Sequence, residues 1–293
     1  MFWLLAVLSP LGYAIQTALM LRYARKYDMV SVTMYRGLSL GLSFLPVLLY
    51  FTDWESFMLT LDYWPWLLLA AVITMGANVL SYFNLRRFPL GIMTSFFQSA
   101  KVMVGVLFGY WFFQEVITLP QIIGILIVLS GTIWLGLQRN KICEKCKLSP
   151  WIFVGTVTLQ TVLLMGAAFM ITRIARETGD PWSAGYLWEV GIGIFALIYG
   201  ITRKQLSKAP IFVLSLKDFW KICLYASPTV LGTGAFFWAS TLGPMGILST
   251  VVMLEVVFSA FLGLYLYREK LSRKQIGGII LIITGIICLR ILS

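Results

Sequence analysis

The chain contains no histidine at all. That removes the side chain most often used for general acid–base work near neutral pH, and a common zinc ligand. Only four cysteines are present: Cys143 and Cys146 form one Cys-x-x-Cys, and Cys223 and Cys288 stand alone in apolar runs. A structural zinc takes about four ligands, so neither a metal centre nor any other cofactor is expected. There is no Gly-rich loop followed by Lys-Ser/Thr, no pair of carboxylates on one helix, and no stretch long enough for a soluble nucleotide-hydrolysing domain. Nothing here points to enzymatic chemistry. Charge is also scarce, at 12% of residues against about 25% in ordinary globular chains. No cleavable leader stands out, because Met1–Leu21 lacks a basic start and is long enough to span a bilayer.

What is abundant is apolar: 59% of the 293 residues are hydrophobic. A soluble protein of this size could not hide so much apolar surface, so the lipid bilayer is the expected solvent and partner. The net charge of +11 raises the question of nucleic acid. The charges sit in short clusters between apolar runs and not on one face, which is the pattern of cytoplasmic loops, and no nucleic-acid partner is expected.

A helix needs about 20 mostly apolar residues to cross the hydrocarbon core. On that rule span 1 is Phe2–Leu21, span 2 Val32–Phe51, span 3 Trp64–Leu85, span 4 Phe88–Phe113 and span 5 Val116–Gln138. After a basic linker come span 6 at Leu148–Thr172 and span 7 at Pro181–Thr202. The run Ile222–Tyr267 is too long for one crossing, and Gly243-Pro244 divides it into spans 8 and 9; span 10 is Lys274–Leu292.

The two groups of five are copies. Pro244-Met-Gly-Ile-Leu-Ser249 repeats Pro89-Leu-Gly-Ile-Met-Thr94 (244 − 89 = 155), and Gln275–Gly285 repeats Gln121–Gly131 (275 − 121 = 154). Glu269 and Glu115 keep the 154 spacing. Self-similarity at a fixed offset is read before other signals, and in membrane proteins it is a common ground plan for transporters. Five is odd, so fused copies must face opposite ways. Loop charge tests this, because Lys and Arg favour the cytoplasmic side. Loops 1–2, 3–4, 5–6, 7–8 and 9–10 hold most of the 23 basic residues, whereas the loops of the other side hold Arg173 and Arg176. Loop 4–5, Gln114–Gln121, has no basic residue, and its copy Arg268–Gln275 has four. Related sequences thus carry opposite charge bias, as an inverted repeat requires. The bias makes the five basic loops cytoplasmic, places both termini on the other side, and fits a plasma (inner) membrane.

Leu254-Glu-Val-Val-Phe-Ser-Ala-Phe-Leu-Gly263, Tyr267-Arg-Glu269, Gln275-x-x-Gly278 and Thr284-Gly285, with their first-half counterparts Gln114-Glu115, Gln121-x-x-Gly124 and Ser130-Gly131, resemble the EamA-type signature of the drug/metabolite transporter superfamily. Arg36 falls where members often carry arginine, and Val256 stands where many carry proline. In span 4, Gln98-Ser-Ala-Lys101 is similar to the Gln-x-x-Lys of nucleotide-sugar transporters in the same superfamily. The resemblance implies an all-α integral membrane protein of ten transmembrane helices. They form two inverted five-helix repeats, 1–138 and 150–293 joined by the linker 139–149, around a central cavity. Spans 1, 3, 4, 6, 8 and 9 would line that cavity, which would open alternately to each side.

Ionisable groups at mid-bilayer cost about 2.5–3.5 kcal/mol on insertion scales and therefore face a cavity or a partner. Lys101 and Glu255 lie near the middle of spans 4 and 9 and occupy equivalent repeat positions (101 + 154 = 255). A Lys101–Glu255 pair is expected. It is either a static pair that neutralises both groups, or a substrate site in which Lys101 takes an anionic group and Glu255 a cationic group or a coupling proton. Arg36 and Glu189 fall on spans 2 and 7, expected to be peripheral, and are expected to pair or face an interface; Glu115 and Glu269 are expected to cap helices or face loops. Tyr13, Gln16, Asn78, Tyr82, Gln98, Gln160 and Trp238 lie on spans implied to line the cavity, where rings could stack on a planar or cationic substrate. Trp64, Trp66, Trp151 and Trp182 lie at span ends, the aromatic belt position.

The expected function is secondary transport of a small polar organic metabolite such as an amino acid, with a coupling proton or an exchanged substrate as the driving partner, by a monomer or homodimer. Exchange of nucleotide-sugar or phosphorylated substrates is the alternative suggested by Gln98 and Lys101. A non-transporting membrane scaffold or receptor is a third reading.

Overall fold

The computed structural model describes residues 1–87, 90–137, 150–207, 216–267 and 271–292. All thirteen elements among them are α-helices, as expected where lipid leaves backbone groups no partner but their own helix. In the first half these are α1 (Phe2–Lys26), α2 (Met29–Phe51), the short α3 (Trp54–Leu61), α4 (Trp64–Arg87), α5 (Leu90–Phe113) and α6 (Leu119–Leu137). In the second half they are α7 (Pro150–Thr178), α8 (Pro181–Ser207), α9 (Leu216–Ala226), α10 (Pro228–Leu242), α11 (Met245–Val251), α12 (Leu254–Tyr267) and α13 (Arg273–Leu292). Nine described segments are long and apolar enough to cross a membrane, α9 with α10 and α11 with α12 each counting as one; a tenth apolar helix, Leu119–Trp134, is shorter. Large apolar side chains such as Leu49, Leu107, Leu126, Ile194, Leu224 and Ile287 are exposed, while Gln98, Thr74 and Glu189 are buried. That inside-out distribution suits lipid.

The helix boundaries have local causes. Asp28 caps α2 by accepting from the backbone N–H of Val30 at 3.0 Å and Ser31 at 3.2 Å. Asp180 does the same for α8, accepting from Trp182 and Ser183 at 3.0 Å each. Gly179, with φ at +73°, takes the left-handed conformation that ends α7. Span 8 breaks into α9 and α10 at Pro228, which has no N–H to give to Leu224 O; the Ser227 hydroxyl takes that carbonyl instead, at 2.9 Å.

Several boundaries differ from expectation. α7 runs on to Thr178, so Arg173 and Arg176 are helical and not loop residues. Loop 2–3 contains α3, capped by Asp53 through Ser56 N at 2.8 Å. Span 9 is divided into α11 and α12 at Val252–Met253, immediately before Glu255. There the bonding tightens from i→i−4 to i→i−3: Met253 N to Thr250 O, Glu255 N to Val252 O and Val256 N to Met253 O, a 3₁₀ turn inside a crossing. Residues 88–89, 138–149, 208–215 and 268–270 lie outside the described residues, and with them Cys143, Cys146, the linker and Glu269.

The two halves run in opposite directions. A methyl group added at Gly131 would come 2.8 Å from Gly278 O, and one at Gly124 would come 2.7 Å from Leu289 and 3.4 Å from Gly285 O. As α6 advances, α13 retreats, and these two helices are repeat equivalents. α2 and α8, also equivalents, do the same: Asp28 meets Arg203 at 3.1 Å, Arg36 meets Glu189, and Thr52 meets Asp180 at 3.2 Å. Two further sets of pairings come as mirrored couples, α1 with α10 and α7 with α4, α1 with α12 and α7 with α5. One end of the bundle therefore gathers both termini, residues 51–63, 113–119 and 178–181, and Gly243. The other gathers Lys26, Arg87, Arg203, Lys217 and Lys274.

Candidate functional site

A cavity of about 160 Å³ lies where α1, α2, α4, α5, α7, α8, α10 and α12 meet. Of the residues singled out in the sequence, Tyr13, Gln16, Asn78, Tyr82, Lys101, Gln160 and Glu255 line it. Among the described residues, α6 and α13 contribute nothing to its wall.

Lys101, on α5, is buried, and its ammonium lies 5.3 Å from the centroid of the Phe97 ring one turn earlier. Glu255 lies in the first turn of α12 and is equally buried. The expected Lys101–Glu255 ion pair is not formed: no nitrogen–oxygen contact within 4.0 Å joins the two among the described residues. The reason is Gln98, one turn before Lys101, whose side-chain N–H donates to Glu255 Oε2 in a short hydrogen bond. Gln98 thus stands behind the wall, fully buried, with its own carbonyl oxygen lacking a partner. The lysine and the carboxylate face one space without touching.

Arg36 and Glu189 were expected on peripheral helices. They pair, but inside the cavity wall. Arg36 Nη1 and Nη2 donate to Glu189 Oε2 at 3.0 Å and Oε1 at 3.2 Å, a two-pronged contact. Thr233 Oγ1 donates to Glu189 Oε1 at 3.0 Å, and Tyr13 OH lies 3.1 Å from Thr233 Oγ1. With Thr233 donating onward, the tyrosine is the donor in that second contact. A chain of hydrogen bonds therefore runs from α1 through α10 and α8 to α2. The signal for this was present, since Arg36 and Glu189 are the sole charges in their spans; the resemblance pointed the other way by making spans 2 and 7 peripheral. In fact α8 also supplies Trp188 and Ile192 to the wall, with Trp188 Nε1 donating to Thr74 Oγ1 at 2.9 Å.

Gln160 accepts from Asn84 Nδ2 at 3.0 Å, and Thr156 Oγ1 donates to Asn84 Oδ1 at 2.9 Å. Asn84 was missed because hydropathy alone does not say which face of an apolar helix looks inward. Trp238 errs the other way. It does not line the cavity but packs against Trp182 at 5.8 Å and Phe51 at 6.2 Å between ring centroids. Trp182, expected in the aromatic belt, is the packing element there: its ring fills the space beside Gly234 and stacks on Phe51 at 4.8 Å. Trp64, Trp66 and Trp151 are exposed, as a belt requires. Among the described residues no three metal-ligating side chains converge.

The wall thus presents two cations, Arg36 and Lys101, and two carboxylates, Glu189 and Glu255. The arginine is consumed by its partner and the lysine is not. Such a space can hold a small organic ion carrying both signs of charge.

A search of curated proteins found no match. A solved crystal structure superposes with a TM-score of 0.72 over 98% of this chain and 97% of that one at 15% sequence identity, which establishes a shared fold. The model of the EamA-like transporter family matches twice, over residues 1–137 and 150–291. With both halves matched and nearly the whole length covered, the chain belongs to the EamA-like transporter family.

Proposed function

We propose that the protein is a secondary transporter that carries a small zwitterionic metabolite, of amino-acid type, by alternating access through this cavity. The observation that carries the reading is Lys101: a buried ammonium facing the cavity with no carboxylate oxygen within 4.0 Å among the described residues. A buried charge without a counter-ion is costly, and an anionic group of a ligand supplies the missing one. Glu255, held by Gln98 and turned to the same space, takes the cationic group or a coupling proton. Gln16, Asn78 and Gln160 offer polar contacts, and Tyr13 and Tyr82 offer ring faces. The cavity charge balance favours a zwitterion over a net anion, because the wall already sums to zero.

Size separates this from the nucleotide-sugar alternative. At about 160 Å³ the space falls below the roughly 300–1,000 Å³ of a pocket for a drug-sized ligand. A nucleotide joined to a sugar is at least drug-sized. In the cell the end bearing Lys26, Arg87 and Lys217 is the cytoplasmic one, and the membrane is the plasma (inner) membrane.

Thermal unfolding of the purified protein with amino acids, nucleotide sugars and quaternary amines tests this. A ligand at one hundred times its Kd stabilises by about 2.7 kcal/mol, so a zwitterion raises Tm clearly and Lys101→Met removes the shift. If no zwitterion stabilises the protein, or the shift survives in Lys101→Met, the reading is wrong and the scaffold alternative gains.

A further inference from the structure

At the end of the bundle that gathers both termini, Glu115 and Arg176 tie four helix ends together. Gln114, with φ at 53°, turns the chain out of α5, and Glu115 N donates back to Gly109 O at 3.1 Å. The carboxylate folds against Gly109, where a methyl group would come 2.6 Å from Oε2. There it accepts from the backbone N–H of Met245 at 2.7 Å and Gly246 at 3.1 Å, across the molecule in the other repeat. It also meets Arg176 Nη2 of α7 at 3.3 Å. Arg176 continues the link: its Nε donates to Ser240 O at 2.7 Å and its Nη2 to Gly243 O at 2.9 Å, at the end of α10. Its guanidinium lies over the Phe113 ring at 4.1 Å. The expectation that Glu115 caps a helix is met, but on the opposite half of the chain.

The cavity and this cluster share no residue among the described ones. Its lining on α1 runs from Tyr13 to Leu21, on α4 from Thr74 to Tyr82, and on α5 comprises Phe97 and Lys101. On α5 both lie in the half nearer the opposite end, whereas on α8 Trp188, Glu189 and Ile192 lie in the half nearer the cluster. On α7 the lining stops at Ala168, eight residues and about 12 Å short of Arg176. The intervening turn is packed: Thr172 is fully buried, with a hydroxyl that has no partner.

We infer that the Glu115–Arg176 cluster is the closure of the cavity on this face, and that it separates whenever the cavity opens there. Its contacts join α5 of one repeat to α7, α10 and α11 of the other, so relative movement of the halves must break it. Switching elements of this kind have two discrete arrangements, and cutting a contact made in only one arrangement shifts the population toward the other. The inference rests on the alternating-access reading for why the closure opens, but its test uses neither transport nor substrate.

The experiment is cysteine accessibility. In a background with Cys143, Cys146, Cys223 and Cys288 changed to Ser, Thr172→Cys reports the path between cavity and closure. Ala196→Cys, at a fully buried position elsewhere, reports global loosening. With a bulky impermeant maleimide, Glu115→Gln is expected to raise the labelling rate of the Thr172→Cys reporter about tenfold or more, the order set by losing an ionic hydrogen bond. Arg176→Met does the same, and the Ala196→Cys reporter stays unchanged in both. The exchanged pair, Glu115→Arg with Arg176→Glu, does not restore closure, because arginine cannot accept from the N–H groups of Met245 and Gly246. An unchanged rate at the Thr172→Cys reporter, a parallel rise at the Ala196→Cys reporter, or full rescue by the exchanged pair each overturns the inference. Failure of every zwitterion to bind leaves this result standing and removes only the substrate reading.

Discussion

Arg36 reaches Glu189 with two hydrogen bonds inside a wall that solvent barely touches, and that burial sets what disturbing either group costs. Removing one partner of a buried pair leaves the other charged and alone, worth about 3–5 kcal/mol. Glu189→Met is therefore expected to destabilise the protein by that order, and Arg36→Met with Glu189→Met together by much less, because no charge is then stranded. Denaturant or thermal unfolding in detergent checks both. This pair also marks where reading residues from sequence succeeds and where it stops. That Arg36 and Glu189 needed partners was legible from their isolation in apolar runs. That they face the cavity was not, because a helix with lipid on one side and protein on the other shows little polar stripe. Trp238 was misplaced and Asn84, buried behind Gln160, was missed for the same reason: both sit on apolar helices whose inward face is set by neighbouring helices.

At the scale of elements, close helix contact depends on glycine at a few positions. On α2, a methyl group added at Gly37 would collide with the Gly193 backbone of α8, which cannot turn aside as a side chain can. Gly37→Ala is expected to cost about 1–3 kcal/mol through overpacking. Gly76 on α4 is the control, since a methyl group there meets nothing within 4 Å. Gly76→Ala is expected to be neutral or to stabilise by up to about 1 kcal/mol, the ordinary helix preference for alanine. Opposite signs of the Tm change for the two substitutions check this. Breaks in helices were legible only where chemistry announces them. Gly243-Pro244 divided two crossings as expected, and Pro228 has a clear cause for the break before α10. The 3₁₀ turn before Glu255 falls among Val251, Val252 and Met253, which carry no turn signal, so it arises from packing at the centre of the bundle.

The whole molecule is two related halves of opposite sense, and this was the most legible feature of all. It was written twice, once in the 154-residue repeat and once in the charge difference between Gln114–Gln121 and its copy. The end that gathers Lys26, Arg87, Arg203 and Lys217 is predicted to be cytoplasmic. A reporter fused after Ser293 is expected to read outside the cytoplasm, and one inserted beside Lys217 inside it. The reverse pattern would turn the molecule over and place the Glu115–Arg176 closure on the cytoplasmic face.

The α6–α13 contact stands apart from the cavity and joins each helix to its own counterpart. Gly124 and Gly131 meet Gly285 and Gly278 in a register that reads the same from either side. Such a self-complementary seam is what two separate molecules related by a two-fold axis would share. A five-helix polypeptide inserted both ways up would find this surface on its twin and dimerise through it. Gene fusion would then have had only to join the pair, leaving an ancestral subunit boundary preserved inside a single chain.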